Sequence, residues 1–259
     1  MTTNFEEYSA EDFYDSLFED YHLIFADWDR SIARQAAVLD RLIGTYADRK
    51  VEKLWDCTCG IGTQALGLAA KGYQILGTDL SAKAVARAKR EAKQRALSAT
   101  FATADLRVSE QLPQSLFDVI LSCDNSLPHL LQTEELLLAL INIKDRLKDN
   151  GLFIGSMRDY DQIVLEQPSS TSPSRKMVGK EEIISFQTWD WEADPIYQIK
   201  HFVIKGKGDE YQTKVRRATY RAYQREEMGE AFRAAGFKKI SWLFPNETGY
   251  YQPIFVITT

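Results

Sequence analysis

Leu54-Trp55-Asp56-Cys57-Thr58-Cys59-Gly60-Ile61-Gly62-Thr63, followed after a helix-forming stretch by Gln74-Ile75-Leu76-Gly77-Thr78-Asp79, is the part of this chain whose reading decides the fold. An apolar strand runs into a turn with two glycines, a helix is predicted over Gln64 to Lys71, and a second strand ends on a carboxylate. This is the layout of a nucleotide-binding βαβ unit. Glycines at 60 and 62 tolerate positive φ and let the backbone approach a ligand, and a strand-tip carboxylate can accept both hydroxyls of a ribose.

The turn departs from the dinucleotide fingerprint. A G-x-G-x-x-G binder wants a third glycine where the helix N-terminus receives pyrophosphate. Residue 65 is Ala, which that fingerprint sometimes accepts, so a nicotinamide oxidoreductase on the same sheet stays open. Asp56 weighs more, because a carboxylate just ahead of the turn repels phosphate and attracts a cation. S-adenosylmethionine, with a sulfonium, an ammonium and a ribose but no phosphate, suits Asp56 and Asp79 together. A glycine turn that merely joins a strand to a helix is the plain alternative.

Working outward, predicted strands at Lys53–Cys57, Gln74–Thr78, Thr100–Thr103, Val119–Cys123 and Leu152–Met157 alternate with helices at Gln64–Lys71, Ser81–Ala96 and Thr133–Lys148. Such alternation predicts an α/β fold with a doubly wound, mostly parallel, Rossmann-like sheet. Ser81 and Thr133 read as N-caps, and Asn150-Gly151 as a helix stop. Upstream, residues 1 to 30 carry Tyr8, Phe13, Tyr14, Phe18, Tyr21, Phe25 and Trp28 at mostly helical spacing. For most of these the reading is a core-packing stripe, with an arm over a cofactor cleft as the alternative; a second helix covers Ser31 to Tyr46.

After Arg158 the pattern changes. Polar, Pro- and Ser-rich residues 167 to 175 lead into three alternating runs near 182–191, 197–206 and 211–223. These predict an antiparallel sheet, with Ala193-Asp194-Pro195 and Gly206-Lys207-Gly208-Asp209 as turns. The chain returns with a helix at Glu226–Ala235, a Gly236 stop and strands at Lys239–Phe244 and Ile254–Thr258. The expected organisation is a helical arm or lid over 1–50, a cofactor-binding domain over 51–158 and 224–259, and an antiparallel insertion over 159–223 capping the substrate side.

With 259 residues, 44% hydrophobic and 27% charged, the chain can bury the core of one large domain. A formal charge of −5 and a pI near 5.4 disfavour a general binder of nucleic acid or anionic membrane. No run approaches the roughly 18 apolar residues of a membrane span. Cys57, Cys59 and Cys123 are an odd set inside strand ends with no signal-like segment ahead of them, which points to a reduced, cytoplasmic setting. The scattered His22, His129 and His201 complete no metal set with them, so no metal is expected.

In doubly wound sheets ligands sit beyond the carboxyl ends of the strands. Those ends read Asp56–Gly62, Asp79-Leu80, Ala104-Asp105-Leu106, Cys123-Asp124-Asn125-Ser126 and Arg158-Asp159-Tyr160. Asp105 can accept from an adenine amino group while the Leu106 amide reaches a ring nitrogen; a turn-capping Asp is the alternative. Arg158, directly after an apolar strand, needs a carboxylate, either a substrate's or that of Asp159, Asp124 or Asp161. Asn125 shares its edge of the cleft.

Three strings together resemble the glycine and sarcosine N-methyltransferases within the class I S-adenosylmethionine-dependent methyltransferases. They are Asp56-Cys57-Thr58-Cys59-Gly60-Ile61-Gly62-Thr63, Phe117-Asp118 leading to Asn125-Ser126-Leu127-Pro128-His129-Leu130, and Arg158-Asp159-Tyr160-Asp161. The class-level resemblance covers roughly residues 20 to 160. It implies that Asp56, Cys57, Thr58, Gly60, Gly62 and Thr63 line the methionine moiety, Asp79 and Leu80 the ribose, and Asp105 and Leu106 the adenine, with Cys123 and His129 close by. Trp28 and Arg34 fall where the family's N-terminal segment meets the cofactor's carboxylate end. Asn125 would face the substrate amine and Arg158 clamp its carboxylate, with Tyr160 and Tyr220 as further pocket residues and Tyr197, Arg221 and Tyr251 as candidates beside them. Asp124 departs from the subgroup, which has glycine there, and so favours a cationic or a different substrate.

The expected activity is therefore S-adenosylmethionine-dependent methylation of a small molecule, the amine of a glycine- or sarcosine-like amino acid, leaving S-adenosylhomocysteine. Another acceptor, such as a polyamine or a natural-product nitrogen or oxygen, and a non-catalytic cofactor-binding module are the alternatives. The partner is a small-molecule methyl acceptor, neither nucleic acid nor membrane; self-association is compatible with the sequence.

Overall fold

In a computed structural model, residues 8 to 191 and 195 to 258 are described. The turn expected at Ala193-Asp194 and the first seven residues of the aromatic stretch lie outside them. The chain runs α1 (Ala10–Leu17), a 3-10 turn (Tyr21–Ile24), α2 (Trp28–Tyr46), β1 (Lys53–Asp56), α3 (Thr63–Ala69), β2 (Gln74–Asp79), α4 (Ala82–Gln94), β3 (Ala99–Thr103), β4 (Phe117–Ser122), α5 (Thr133–Lys144) and β5 (Leu147–Ser156). There follow α6 (Tyr160–Glu166), β6 (Ser174–Val178), β7 (Glu181–Trp191), β8 (Ile196–Lys207), β9 (Glu210–Arg221), α7 (Arg225–Ala234), β10 (Lys239–Leu243), α8 (Pro245–Thr248) and β11 (Ile254–Thr258).

A seven-stranded sheet has the order β3-β2-β1-β4-β5-β11-β10. β1 to β5 are parallel neighbours, and β11 runs antiparallel to both β5 and β10. The alternating side chains explain the layering. Leu54, Val119, Leu121, Ile154 and Val256 point into one core, with residues of α2, α3 and α4. Their chain neighbours Trp55, Ile120, Phe153, Phe255 and Ile257 point into the other, with residues of α5 and α7. Buried on both faces, the strands read as continuous apolar runs, as a parallel sheet requires.

Glycine is required at two positions. Gly62 opens α3 at φ +95, where a Cβ would lie 3.1 Å from Leu66 Cγ. At Gly155 a Cβ would lie 2.1 Å from the Phe255 ring and 2.5 Å from the Ser122 carbonyl, so β5 packs against its neighbours only without one.

The antiparallel insertion is a four-stranded sheet, β6-β7-β8-β9, rather than the three runs expected. Residues 167 to 175 are not simply a linker: Ser174 pairs with Ser185, and the Trp189 amide donates to the Ser169 carbonyl. At an edge, backbone pairing suffices and polar side chains remain solvated, so no alternation marks the strand. The turn at Gly208-Asp209 is a two-residue hairpin loop between the paired Lys207 and Glu210, with Gly208 at φ +63.

Three boundaries are corrected. Thr133 is the first helical residue of α5; the cap is Gln132, whose carbonyl accepts the Leu136 amide at 3.1 Å. α5 ends at Lys144 rather than Lys148, because the Arg146 side chain ties the chain to the carbonyls of Ser109, Pro113 and Asn142 and Leu147 already pairs with Phe117. Asn150, at φ +57, lies where the β4–β5 register shifts, between the pairs Phe117–Leu147 and Val119–Leu152. The cap at Ser81 is as expected, its hydroxyl accepting the Ala84 amide at 3.0 Å.

Candidate active site

Two adjoining cavities open at the carboxyl edge of the main sheet. The first is lined by the loop after β1, the tips of β2 and β4, the Ala104–Arg107 segment and the start of α1. Of the residues singled out from sequence, Cys57, Thr58, Gly60, Thr63, Asp79, Leu80, Asp105, Leu106, Cys123 and His129 line it. The second lies between the N-terminal arm and the insertion, and Arg34, Asn125, Arg158, Tyr220 and Tyr251 line it. Tyr14, Tyr21 and Asp124 line both.

Asp79 forms the hinge of the first cavity. Its carboxylate accepts the Gly60 amide at 2.8 Å and the Ser81 amide at 3.0 Å, which fixes the glycine turn to the tip of β2. Burial raises its pKa, against the pull of those two amides. Each oxygen keeps a further lone pair for ribose hydroxyls. Asp105 is held by Arg107, whose Nη2 is 2.8 Å away, and Arg107 reaches Glu135 at 2.5 Å. Burial would raise the Asp105 carboxyl, but Arg107 brings it below its ordinary value.

Asp56 lies behind the wall rather than on it. It is 1% exposed, and neither of its oxygens has a hydrogen-bond partner of ordinary geometry among the described residues, the Thr58 and Ala65 amides offsetting its burial only in part. Burial pushes its pKa up to about 8, and the fields of Asp79 and Asp124 add to the shift. An orphaned carboxylate in such a place is one that a cationic ligand in front of it would relieve. These acids, with a phosphate-free glycine turn, fit a donor carrying a sulfonium, an ammonium and a ribose.

Gly62, Trp28 and Tyr160 also lie outside both linings. The Trp28 indole donates to Thr63 Oγ1 at 2.9 Å and has the Arg87 and Arg95 guanidiniums over its ring, so it supports a cleft residue from behind. Arg34 lines the second cavity, not the first. The buried Tyr160 hydroxyl meets Asn125 Oδ1 at 3.0 Å and Tyr197 Oη at 2.7 Å; it braces the site without facing it. Tyr197 is fully buried, and Arg221 bonds Leu131 and Glu227.

In the second cavity Arg158 forms no ion pair with a carboxylate among the described residues. Its Nη1 donates to Tyr197 Oη at 2.7 Å and Nη2 to Gln187 Oε1 at 3.2 Å, and the guanidinium lies 4.6 Å from the Trp189 ring centre. The acids that could have neutralised it are engaged elsewhere: Asp159 and Asp161 pair with Arg225. Asn125, 3% exposed, accepts the Arg158 amide and the Tyr160 hydroxyl on Oδ1 and leaves Nδ2 without a partner.

Sequence reasoning passed over Gln187 and Trp189, and it read Tyr14 and Tyr21 as packing residues. The Tyr14 hydroxyl lies 3.2 Å from His129 Nε2, and the His129 ring packs against Tyr220, tilted by 36° with ring centres 4.1 Å apart. Burial, with Arg158 nearby, pushes the His129 pKa down to about 3, so the ring is neutral. The usable signal was the hydroxyls of Tyr14 and Tyr21 at the centre of the aromatic stripe, since a buried tyrosine hydroxyl needs a partner.

Residues 55–151 match the family described as a methyltransferase domain. A glycine/sarcosine N-methyltransferase of Parasynechococcus marenigrum (strain WH8102) is 29% identical over 150 residues, 56% of this chain and 53% of that protein. The chain spans about half the length of the curated relatives it matches. Among solved structures, S-adenosylmethionine-bound CalS10, an amino pentose methyltransferase from Micromonospora echinaspora, has a TM-score of 0.73 at 16% identity, covering 100% of this chain and 99% of that one. The sugar N-methyltransferase KedS8 from Streptoalloteichus sp. has a TM-score of 0.76 at 15% identity, covering 100% and 97%. At these identities the likeness shows a shared fold. Residues 55–151 thus carry the likeness to a methyltransferase domain, within a chain that shares the fold of the S-adenosylmethionine-bound CalS10.

Proposed function

We propose that the protein is an S-adenosylmethionine-dependent N-methyltransferase whose acceptor is the amine of a small amino acid of the glycine or sarcosine type. One observation carries this reading: the Arg158 guanidinium faces the second cavity with no carboxylate partner among the described residues, beside the unpartnered Nδ2 of Asn125. Two converging donors suit a substrate carboxylate, which pairs with Arg in a fixed geometry. An acid held there directs its amine toward the junction with the first cavity.

The bound donor supplies a methyl group on a sulfonium, a good leaving group, so the chain mainly has to position and desolvate. Arg158 and Asn125 hold the acid end, Tyr14 and Tyr21 wall the junction, and α1 with the insertion excludes water. Correct orientation alone can lower such a barrier by several kcal/mol, within a ceiling of roughly 7–11.

Purified protein is incubated with S-adenosylmethionine and glycine or sarcosine, and products are read by mass spectrometry. Arg158→Ala should raise the acceptor KM at least thirtyfold and change the cofactor Kd less than threefold. Equal loss of both would show that Arg158 is structural and remove the basis for an acid-bearing acceptor. The size of the second cavity, about 870 Å³, favours a second reading, an amino sugar, since an amino acid would leave most of it empty. Turnover of amino sugars without turnover of glycine or sarcosine would select it.

A further inference from the structure

On the N-methyltransferase reading above, the acceptor's nitrogen needs a partner, and Asn125 is not free to be it. Its Oδ1 already accepts the Arg158 amide and the Tyr160 hydroxyl, each at 3.0 Å, and the remaining Nδ2 is a donor. An amine arriving as an ammonium brings only N–H donors and requires an acceptor oxygen. We infer that Asp124 is that acceptor: its carboxylate docks the ammonium of the methyl acceptor at the junction of the two cavities and takes the proton that the nitrogen must lose before it attacks.

Position supports this first. Asp124 is an acid whose residue lines both cavities, so a group bound to it lies where donor and acceptor meet. Its bonding supports it next. The hydroxyls of Tyr250, at 3.1 Å, and Tyr251 both donate to Oδ1, the Gln64 side chain also bonds the carboxylate, and no hydroxyl occupies Oδ2 among the described residues. No lysine or arginine forms an ion pair with it among those residues. The groups that face it are Gln64 from α3, Tyr21 from the 3-10 turn, Tyr250 and Tyr251 from the loop before β11, and Asp56 and Cys123 at the ends of β1 and β4. None of these is a cation.

Backbone geometry adds an independent mark. Asp124 and Asn125 stand in succession at φ +60 and +68, the left-handed region, which Asp and Asn enter more readily than most side chains but glycine enters more readily still. The turn is held by Ser156, whose Oγ accepts the Asp124 amide at 2.9 Å and whose carbonyl accepts the Asn125 amide at 3.0 Å. Glycine would sit at position 124 more readily, so the side chain is present in spite of the backbone. Charge balance leads to the same place. The fields of Asp79 and Asp124 both raise the Asp56 pKa, and on the reading above Asp56 answers the donor's cation and Asp79 its ribose. Asp124 is left for the cation of the acceptor.

The step balances. A proton passes from the ammonium to Asp124 Oδ2; the freed lone pair forms the N–C bond as the C–S bond breaks, its electron pair staying on sulfur. The methylated product leaves as an ammonium, and the carboxylic proton returns to water as the cleft opens. Burial raises the Asp124 pKa, which eases the first transfer.

Calorimetry with S-adenosylhomocysteine in the cleft reads this docking without turnover. The probes are glycine against glycolate and glucosamine against glucose, each pair differing only in amine for hydroxyl. For whichever pair the wild-type protein distinguishes, Asp124→Asn should weaken the amine at least tenfold and the hydroxyl compound less than threefold, with S-adenosylhomocysteine affinity kept within threefold. Asp124→Gly, which also relieves the left-handed strain, should do the same and guards against a misfolded Asn variant. Equal weakening within a pair, or none, overturns the role of Asp124 while leaving N-methylation standing. Wild-type protein that binds S-adenosylhomocysteine but no amine overturns both.

Discussion

Replacing Asp56 by Asn should move apo stability and cofactor affinity in opposite directions. The carboxyl is fully buried, has no hydrogen-bond partner of ordinary geometry among the described residues and titrates near pH 8, against 3.8 as the ordinary value. At pH 7 the unfolded chain carries it ionised and the folded apo protein takes up a proton. That uptake costs about 1.4 kcal/mol per pH unit over the interval from 3.8 to 7, or roughly 4 kcal/mol. Because this folded pKa is raised, the folded state binds the extra proton, so apo stability falls as pH rises from about 4 toward 8. Asn escapes that cost but buries an amide with few partners, worth about 1–3 kcal/mol. The net expectation is a gain of about 1–3 kcal/mol at pH 7 that turns into a loss of about 1–3 kcal/mol near pH 4, where only the amide cost remains, read by urea denaturation without ligand. A cationic donor in front of the site stabilises the ionised form, so wild-type binding should release a proton near pH 7. The variant should bind about tenfold more weakly, 1.4 kcal/mol, without that release. Calorimetry in buffers of different ionisation enthalpy measures both. An apo protein destabilised by the change at pH 7, or unaltered cofactor affinity and proton release, would refute the reasoning.

Gly62→Ala should cost more than Gly72→Ala, although both glycines have φ +95: at 62 a Cβ meets Leu66 Cγ at 3.1 Å, and at 72 it meets nothing within 4 Å. About 1–2 kcal/mol for backbone strain is expected at each, with a further increment at 62, read by denaturant midpoint. Trp28→Phe removes the bond to Thr63 Oγ1 and should lower stability by about 1 kcal/mol while changing the cofactor Kd less than threefold; a tenfold rise in Kd would instead put the indole in contact with the cofactor. Asp20 accepts from Lys205 at 2.5 Å and Arg216 at 2.6 Å, and these hold its pKa down at about 2 against the upward push of burial. Its depressed pKa means the contribution is present above pH 4 and lost as pH falls through about 2; Asp20→Asn should therefore cost about 1–2 kcal/mol at pH 7, after screening at the exposed lysines, and nothing near pH 2.

The main sheet was legible in the sequence because its strands are buried on both faces. Runs such as Phe117 to Ser122 are buried at every position, with Val119-Ile120-Leu121 as an unbroken apolar centre, and the turns between them carry glycine or a capping serine. β6 was not legible, since this edge strand, Ser-Arg-Lys-Met-Val, is exposed even at Met177 and Val178 and has no buried period to display. The first cavity could be read from strand ends, which is where the topology puts ligands. The second could not: its walls come from α1 and from Gln187 and Trp189 on β7, a strand far along the chain, which only the tertiary fold brings opposite Asn125. Nor could sequence show that Asp56 and Trp28 stand one layer behind the cleft, because spacing fixes which element a residue is on and not how deep its side chain ends.

The matched segment, residues 55–151, contains Asp56, Asp79, Asp105, Asp124 and Asn125. Arg158, Gln187, Trp189, Tyr220 and the tyrosines of the arm lie outside it. The strand tips proposed to hold the donor thus lie in one continuous βαβ-type stretch, with the start of α1 as the other wall of the first cavity. The cavity proposed for the acceptor is assembled from separated segments that close over that stretch. Two chains can share the donor half and differ freely in the acceptor half, so likeness over the former carries little about the substrate. The proposed acceptor site carries a charge arrangement: a cation without a carboxylate partner among the described residues at Arg158 and an acid at Asp124, where glycine would strain less, both lining one cavity. That arrangement has the polarity of a zwitterion, so on the proposed reading an acceptor bearing an ammonium gains at Asp124 what its hydroxyl analogue cannot, and one that also bears a carboxylate gains a second time at Arg158.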